Sequence, residues 1–232
     1  MLMCCGVDLG ISGKTAFHIV AGENFQLRTL YMQAILSIKA PAVEEIIDKI
    51  NTAFHPNLFL LESNGPGGIF VQYLVQNKPH VPVAMVDSSK PPMDIELWDS
   101  TILTKDGFLN YRAVGFWLVH MLFRDKRITL PRDDPELTAQ LTTLYYHEHP
   151  QLKKVQIVSK RKLKFNSSEL GDIDLSHSPD KADALMLAAL GYAVLHQQEK
   201  VITGIQMQEI IEPEVAGFFP IGLLPDLQED YE

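Results

Sequence analysis

The chain has very little from which to build a covalent or thiolate framework. Its only cysteines, Cys4 and Cys5, are adjacent. On a strand they point to opposite faces, so neither a disulfide scaffold nor a cysteine-based zinc site can be assembled from them. No apolar run reaches the roughly 18 residues that a membrane span requires. The start MLMCCGVDLG has neither the charged flank nor the small-residue cleavage site of a signal peptide. These absences predict a soluble protein of a reducing compartment, the cytoplasm. Basic residues are scarce too: 20 Lys and Arg against 29 Asp and Glu leave a net charge of -9, which on its own argues against a nucleic-acid partner.

The distribution of charge reverses that argument. Between Glu199 and Glu232 stand eight acids and one base, Lys200, so this end carries -7 and the rest of the chain only -2. Lys153 to Lys164 holds six of the 20 basic residues and no acid, the kind of local patch that binds phosphates. With 232 residues, 46% of them hydrophobic, one substantial core is expected and two would be cramped. We expect one α/β domain over 1–198 and an acidic, partly flexible tail over 199–232, where the stretch from Pro213 is proline-rich and aperiodic. There is no internal repeat.

MCCGVDLG reads as a buried strand ending at Asp8, and TAFHIVAG and FQLRTLYMQ as two further strands of a meander. Ala40 to Phe54 has apolar residues at helical spacing (Val43, Ile46, Ile47, Ile50, Phe54), and NLFLLESN is a short continuous apolar run of central-strand type. GPGGIFVQYLVQNK then predicts a helix, PVAMVD a fifth strand, and Tyr111 to Phe123 and Pro135 to His147 further helices. KKVQIVSKRKLKF alternates as a strand or hairpin does, and Pro179 to His196 is the clearest helix. Three antiparallel strands followed by helix, strand, helix, strand is the order of a ribonuclease H-like mixed sheet flanked by helices. Many α+β domains share that order, so the acidic residues must decide.

Asp8 ends the first strand and Glu62 the fourth. If a helical crossover makes those strands parallel neighbours, both carboxylates emerge at the same edge of the sheet. Ser178-Pro179-Asp180-Lys181-Ala182-Asp183 suits a helix start, with Ser178 as N-cap and Pro179 at the first position. Asp180 and Asp183 then share a face of its first turn, while Ala184, Leu185, Leu187, Ala188 and Leu190 form an apolar surface fit to lie on a sheet. Converging carboxylates repel, each pair by about 4 kcal/mol at an effective dielectric near 20. A divalent cation removes that penalty. All-oxygen ligation favours Mg²⁺ or Mn²⁺, and two ions about 4 Å apart suit phosphodiester hydrolysis. Taken singly, an acid at a strand end is an ordinary turn residue, and first-turn acids are favoured by the helix dipole; the combination is what points to a metal-dependent nuclease.

The segments GVDLG with Asp8, LLESNGPGG with Glu62 and HSPDKADALMLAALGYA with Asp180 and Asp183 resemble the nuclease domain of tailed-phage terminase large subunits. More distantly they resemble RuvC-type Holliday-junction resolvases. SPDxADAL is the most specific part of a resemblance spread over about 190 residues. It implies a ribonuclease H-like fold and two-metal cleavage of double-stranded DNA, with concatemeric viral DNA cut at packaging in the host cytoplasm. Asp8, Glu62 and Asp183 would be the principal ligands and Asp180 an auxiliary one. The implied partners are a packaging ATPase domain or subunit, a portal and a small terminase subunit.

Alternation places Lys154, Lys160, Lys162 and Lys164 on one strand face, opposite Val155, Ile157, Leu163 and Phe165, with Arg161 breaking the pattern. That face suits a DNA backbone; a solvated strand face is the other reading. Gly65, Gly67 and Gly68 let the chain after Glu62 approach DNA or simply turn, and His177 is either a phosphate contact or a loop residue. GISGKT ends like a phosphate-binding loop but has Asp8 where that motif requires glycine, and a carboxylate there opposes phosphates. An actin-like or sugar-kinase fold needs a second half for which the chain has no room. A RuvC-like resolvase and a non-catalytic DNA-binding or assembly module stay open as alternatives.

Overall fold

The structure, a computed structural model, describes residues 1–10, 14–36, 39–64, 66–130, 134–158, 180–204 and 218–220. Strands β1 (Leu2–Asp8), β2 (Lys14–Glu23) and β3 (Gln26–Leu36) form an antiparallel meander. Helix α1 (Ala40–Phe54) crosses over to β4 (Leu58–Glu62), which lies parallel to β1. Helix α2 (Pro66–Asn77) leads to β5 (Val83–Val86), parallel to β4. Two short edge strands complete a seven-stranded sheet: β8 (Ile128–Thr129) pairs parallel with β3, and β11 (Phe218–Pro220) antiparallel with β5, giving the order β11-β5-β4-β1-β2-β3-β8. This is a ribonuclease H-like mixed sheet with helices on both faces.

The two faces are separate cores. Cys5, Val7, Phe17, Ile19, Phe59, Leu61 and Val83 pack under Val43, Ile47 and Ile50 of α1 and Val71 and Leu74 of α2. Each such side chain, fully buried, contributes about 1.5–3 kcal/mol. The opposite face, with Cys4, Leu58, Leu60, Ala84 and Val86, is covered by α3 (Tyr111–Arg124) and α5 (Asp180–Gly204). Through Val194, α5 is buried almost all round, since α3 and the short helix α4 (Pro135–Thr142) cover the side that the sheet does not. Small residues allow this close stacking. A Cβ on Gly6 would stand 2.1 Å from the Ala184 carbonyl oxygen and 2.4 Å from the Ala188 nitrogen, and one on Gly191 2.4 Å from Cys4 Sγ.

One expectation needs correction. The helix expected over Pro135 to His147 stops at Thr142, where the Thr142 and Thr143 hydroxyls bond back to carbonyls of the last turn. The β-branched and aromatic run beyond it enters β9 (Tyr146–Glu148), which pairs antiparallel with β10 (Val155–Ile157). A second small hairpin, β6 (Ile95–Glu96) with β7 (Ile102–Leu103), and the edge strand β8 are too short to have a readable period. Helix α5 runs to Gly204, and Phe218–Pro220 pairs with β5 as β11. Among the described residues, no helix is long and apolar enough to cross a membrane.

Candidate active site

Alternation along β1 puts Cys4, Gly6 and Asp8 on the face covered by α5. The same alternation along β4 puts Leu58, Leu60 and Glu62 there. Val7 pairs with Leu61 in the parallel ladder, so Asp8 and Glu62 end adjacent strands at one height. Neighbouring strands lie about 4.8 Å apart. Gly191 of α5 backs onto Cys4, and Ala184 and Ala188 back onto Gly6. Continuing that antiparallel run by one strand alternation, about 6.6 Å, brings the first turn of α5 over Asp8. Asp8, Asp180 and Asp183 are all buried, at 6%, 3% and 3% exposure.

Glu62 is half-buried and aimed by two donors. Its Oε1 accepts from the Ser88 N–H at 3.0 Å and from Asn64 Nδ2 at 2.6 Å. Gly67 lies hard against the Glu62 carbonyl, which a Cβ there would meet at 2.2 Å, so this glycine serves the turn after β4. On the helix side, Arg112 Nε donates to Asp183 Oδ1 at 3.3 Å. That ion pair is largely desolvated, with side-chain exposures of 11% and 5%. Arg112 also donates to the Val158 carbonyl at 2.9 Å and lies over the Phe116 ring at 5.1 Å. It is held from the N-terminus of α3, which Asn110 caps through the Ala113 N–H at 2.9 Å. A cleft of about 320 Å³ opens here, lined by Glu62, Asn64, Ser88, Asn110, Arg112, Gln156 and Ile157.

The four acids therefore reach one end and one face of the sheet. Among the described residues, however, no three or more His, Cys, Asp or Glu side chains stand close enough together to hold a metal ion. The donor set is all oxygen, which suits a hard divalent cation, so the fit is one of donor chemistry and placement. Lys154 lies just before β10, where it donates to the Lys105 carbonyl at 3.0 Å. Lys160, Lys162, Lys164, His177 and the expected Ser178-Pro179 cap lie outside the described residues. Sequence reasoning missed Arg112 and Ser88, which stand 71 and 26 residues from the acids they contact and carry no spacing signal, and Asn64, two residues after Glu62 in LLESNGPGG. It also missed Gln140, buried at 6% exposure on α4, whose Oε1 accepts from the Ala182 N–H at 3.0 Å. Buried glutamine in a short amphipathic helix was the one signal available.

No sequence-family profile and no curated protein matches the chain. Solved structures do. The nuclease domain of the large terminase subunit of bacterial virus Sf6 superposes with a TM-score of 0.62 at 16% identity, covering 82% of this chain and 88% of that one. The large terminase nuclease from thermophilic phage G20c, with bound magnesium, gives 0.53 at 11% identity, covering 81% and 80%. The fold is shared with these nuclease domains. A further structure of the Sf6 domain contains manganese.

Proposed function

We propose that the chain is a divalent-metal-dependent endonuclease that cleaves double-stranded DNA in the role of a viral packaging terminase's nuclease domain. The observation that carries this reading is the ladder register that sets Asp8 beside Glu62 under the α5 turn bearing Asp180 and Asp183. The shared fold with phage nuclease domains supports it. Asp8 and Glu62 would hold a shared Mg²⁺ or Mn²⁺, Asp183 would complete the site and Asp180 assist. Two cations bound there would supply Lewis-acid activation of water and neutralisation of the leaving oxygen.

The chain's own groups do the rest. Ser88 and Asn64 keep the Glu62 carboxylate oriented. Arg112 balances the Asp183 charge, and the cleft between Glu62 and Arg112 admits a phosphodiester beside them. Lys154, with Lys160, Lys162 and Lys164 beyond it in sequence, supplies salt-dependent backbone affinity. A packaging ATPase, a portal and a small terminase subunit are the partners this role entails.

Supercoiled plasmid incubated with Mn²⁺ or Mg²⁺ should yield nicked and linear products. Asp8→Asn should lose at least about a hundredfold of that activity while staying folded, as removal of a group acting on the transition state does. Equal activity in the variant removes Asp8 from the mechanism, and an inactive wild type under both metals favours a binding module. Marked preference for a four-way junction over a matched duplex would replace the terminase role with a resolvase one. Binding should also be visible without turnover. At about 100 times its dissociation constant, Mn²⁺ adds roughly 2.7 kcal/mol of stability. Asp183→Ala should gain less, and an equal calorimetric shift in both proteins would put the ion elsewhere.

A further inference from the structure

Helix α4 contributes no carboxylate to the site, yet its polar groups converge on the two residues that separate Asp180 from Asp183. Lys181 Nζ lies 2.7 Å from Asp134 Oδ2, at the α4 N-cap, and 2.9 Å from Glu136 Oε2. The next residue is held through its backbone: the Ala182 N–H donates to Gln140 Oε1 at 3.0 Å in a buried setting. Gln140 Nε2 in turn donates to Glu136 Oε1 at 3.4 Å, and that oxygen also accepts from Lys14 Nζ at the start of β2. Lys14 opens the strand that returns from Asp8.

The first N–H groups of any helix lack intrahelical acceptors. A buried one must find a partner or cost about 1–3 kcal/mol. Here the acceptor comes from another helix, 42 residues away in sequence, so the bond fixes how the first turn of α5 is rotated and seated. Helix α4 buries Leu137 and Gln140 and packs a partly buried Leu141 on the same core, so polar contacts share in docking this short helix. One network thus reaches from the hairpin following Asp8 to the turn bearing Asp180 and Asp183.

We propose that α4 is a positioning element, and that Gln140 and Lys181 align Asp180 and Asp183 against Asp8 and Glu62 and so set cation affinity and cleavage rate. This rests on the nuclease reading above. Groups that orient metal ligands change affinity by about tenfold to a hundredfold when removed, and an effect near the lower bound is expected for each residue alone.

The test uses the full chain with Gln140→Ala and Lys181→Met. Gln140→Glu, which keeps the acceptor for the Ala182 N–H but gives up the bond to Glu136, and Lys181→Arg, which keeps the cation, serve as conservative partners. Three quantities are read: the Mn²⁺ dissociation constant by calorimetry, the Mn²⁺ half-saturation of plasmid nicking, and amide exchange over Asp180 to Ala184 without metal. The first pair should weaken Mn²⁺ about tenfold in both assays and lose amide protection locally, while the second pair returns toward wild type. Unchanged Mn²⁺ dependence in Gln140→Ala and Lys181→Met, with wild type binding and cutting normally, overturns the positioning role alone. Weakening that the conservative partners do not rescue, together with loss of protection across the whole chain, also overturns it, since that pattern marks a purely structural role. A wild type that neither binds Mn²⁺ nor cuts DNA overturns the nuclease reading and this role with it.

Discussion

Asp8 and Glu62 owe their positions to backbone pairing: each ends a strand, and the β1–β4 ladder fixes their height and face. Asp180 and Asp183 ride on a helix packed against β1, and side chains fasten their turn: Arg112 from α3, Gln140 from α4, and Lys181 of α5 itself reaching Asp134 and Glu136. A ladder is a repeating bond set that no single side-chain change erases, and a slip by one residue would turn a whole apolar face to solvent. The fasteners of the helix-borne pair are individual side chains, so a single substitution removes one of them. The two halves should therefore fail differently, the strand half by loss of fold and the helix half by loss of alignment.

The largest expected effect tests the strand half. Gly6→Val places a Cβ about where the Ala184 carbonyl and Ala188 nitrogen now stand, and both are backbone atoms that cannot rotate aside. Overpacking of this kind costs about 3 kcal/mol or more. Chemical denaturation should show that loss along with a weakened tertiary signal. A variant with wild-type stability would mean that α5 can lift off β1, and the inferred height of Asp180 over Asp8 would be wrong.

A second effect lies one register position away. His18 pairs with Gly6 across β1 and β2 and is fully buried, with Nε2 2.8 Å from Thr29 Oγ1. Burial pushes its pKa down to about 3, against the opposing pull of the Asp134 carboxylate. The unfolded chain takes up that proton near pH 6.5 and the folded one does not, so stability falls as pH drops from there toward 3. The slope is up to about 1.4 kcal/mol per pH unit. Denaturant titrations from pH 7 to 4 should show it, and His18→Leu should flatten it. Equal slopes in the two proteins would assign the acid sensitivity to other groups.

The same contrast explains what the sequence made legible. Continuous apolar runs such as LFLLE and the spacing of Val43, Ile47 and Ile50 are local signals with one physical reading, and β1, β4 and α1 lie where those signals put them. The placement of Asp8 beside Glu62 followed from topology, because a helical crossover between adjacent parallel strands leaves little freedom. Arg112, Ser88 and Gln140 were invisible for the opposite reason. Their partners stand 71, 26 and 42 residues away, and nothing in a local window distinguishes an arginine in the first turn of a helix from a solvated one. The misread end of α4 has a local cause: Leu141, Leu144 and Tyr145 continue a helical spacing that the two threonines interrupt.

The smallest effect concerns the ionic part of the α4 network, and its pH window separates charge from packing. Burial works against the Lys181 charge, but the hydrogen bonds it donates to Asp134 and Glu136 outweigh it and raise the pKa above that of an ordinary lysine. Burial also opposes ionisation of Asp134, where the Lys181 and Leu137 N–H bonds prevail and lower its pKa; at Glu136 the bonds from Lys14 and Lys181 do the same. Stability from the lowered acids is present above their unfolded values, about 4, and is lost as pH falls through the still lower folded values. Stability from Lys181 is present below about 10.4 and lost as pH rises through its raised folded value. The network is therefore complete between those limits. With side-chain exposures of 15% for Lys181, 18% for Asp134 and 36% for Glu136, solvent screening holds its worth to about 1 kcal/mol. Lys181→Met keeps most of the apolar stem and removes the charge, so its unfolding free energy should be lower than wild type by about that amount at pH 7. The gap should narrow as pH falls below about 4 and in molar salt. A gap that persists undiminished at pH 3 would show that the Lys181 stem, packed against α4, carries the contact, and the helix half of the site would then be held by shape rather than by charge.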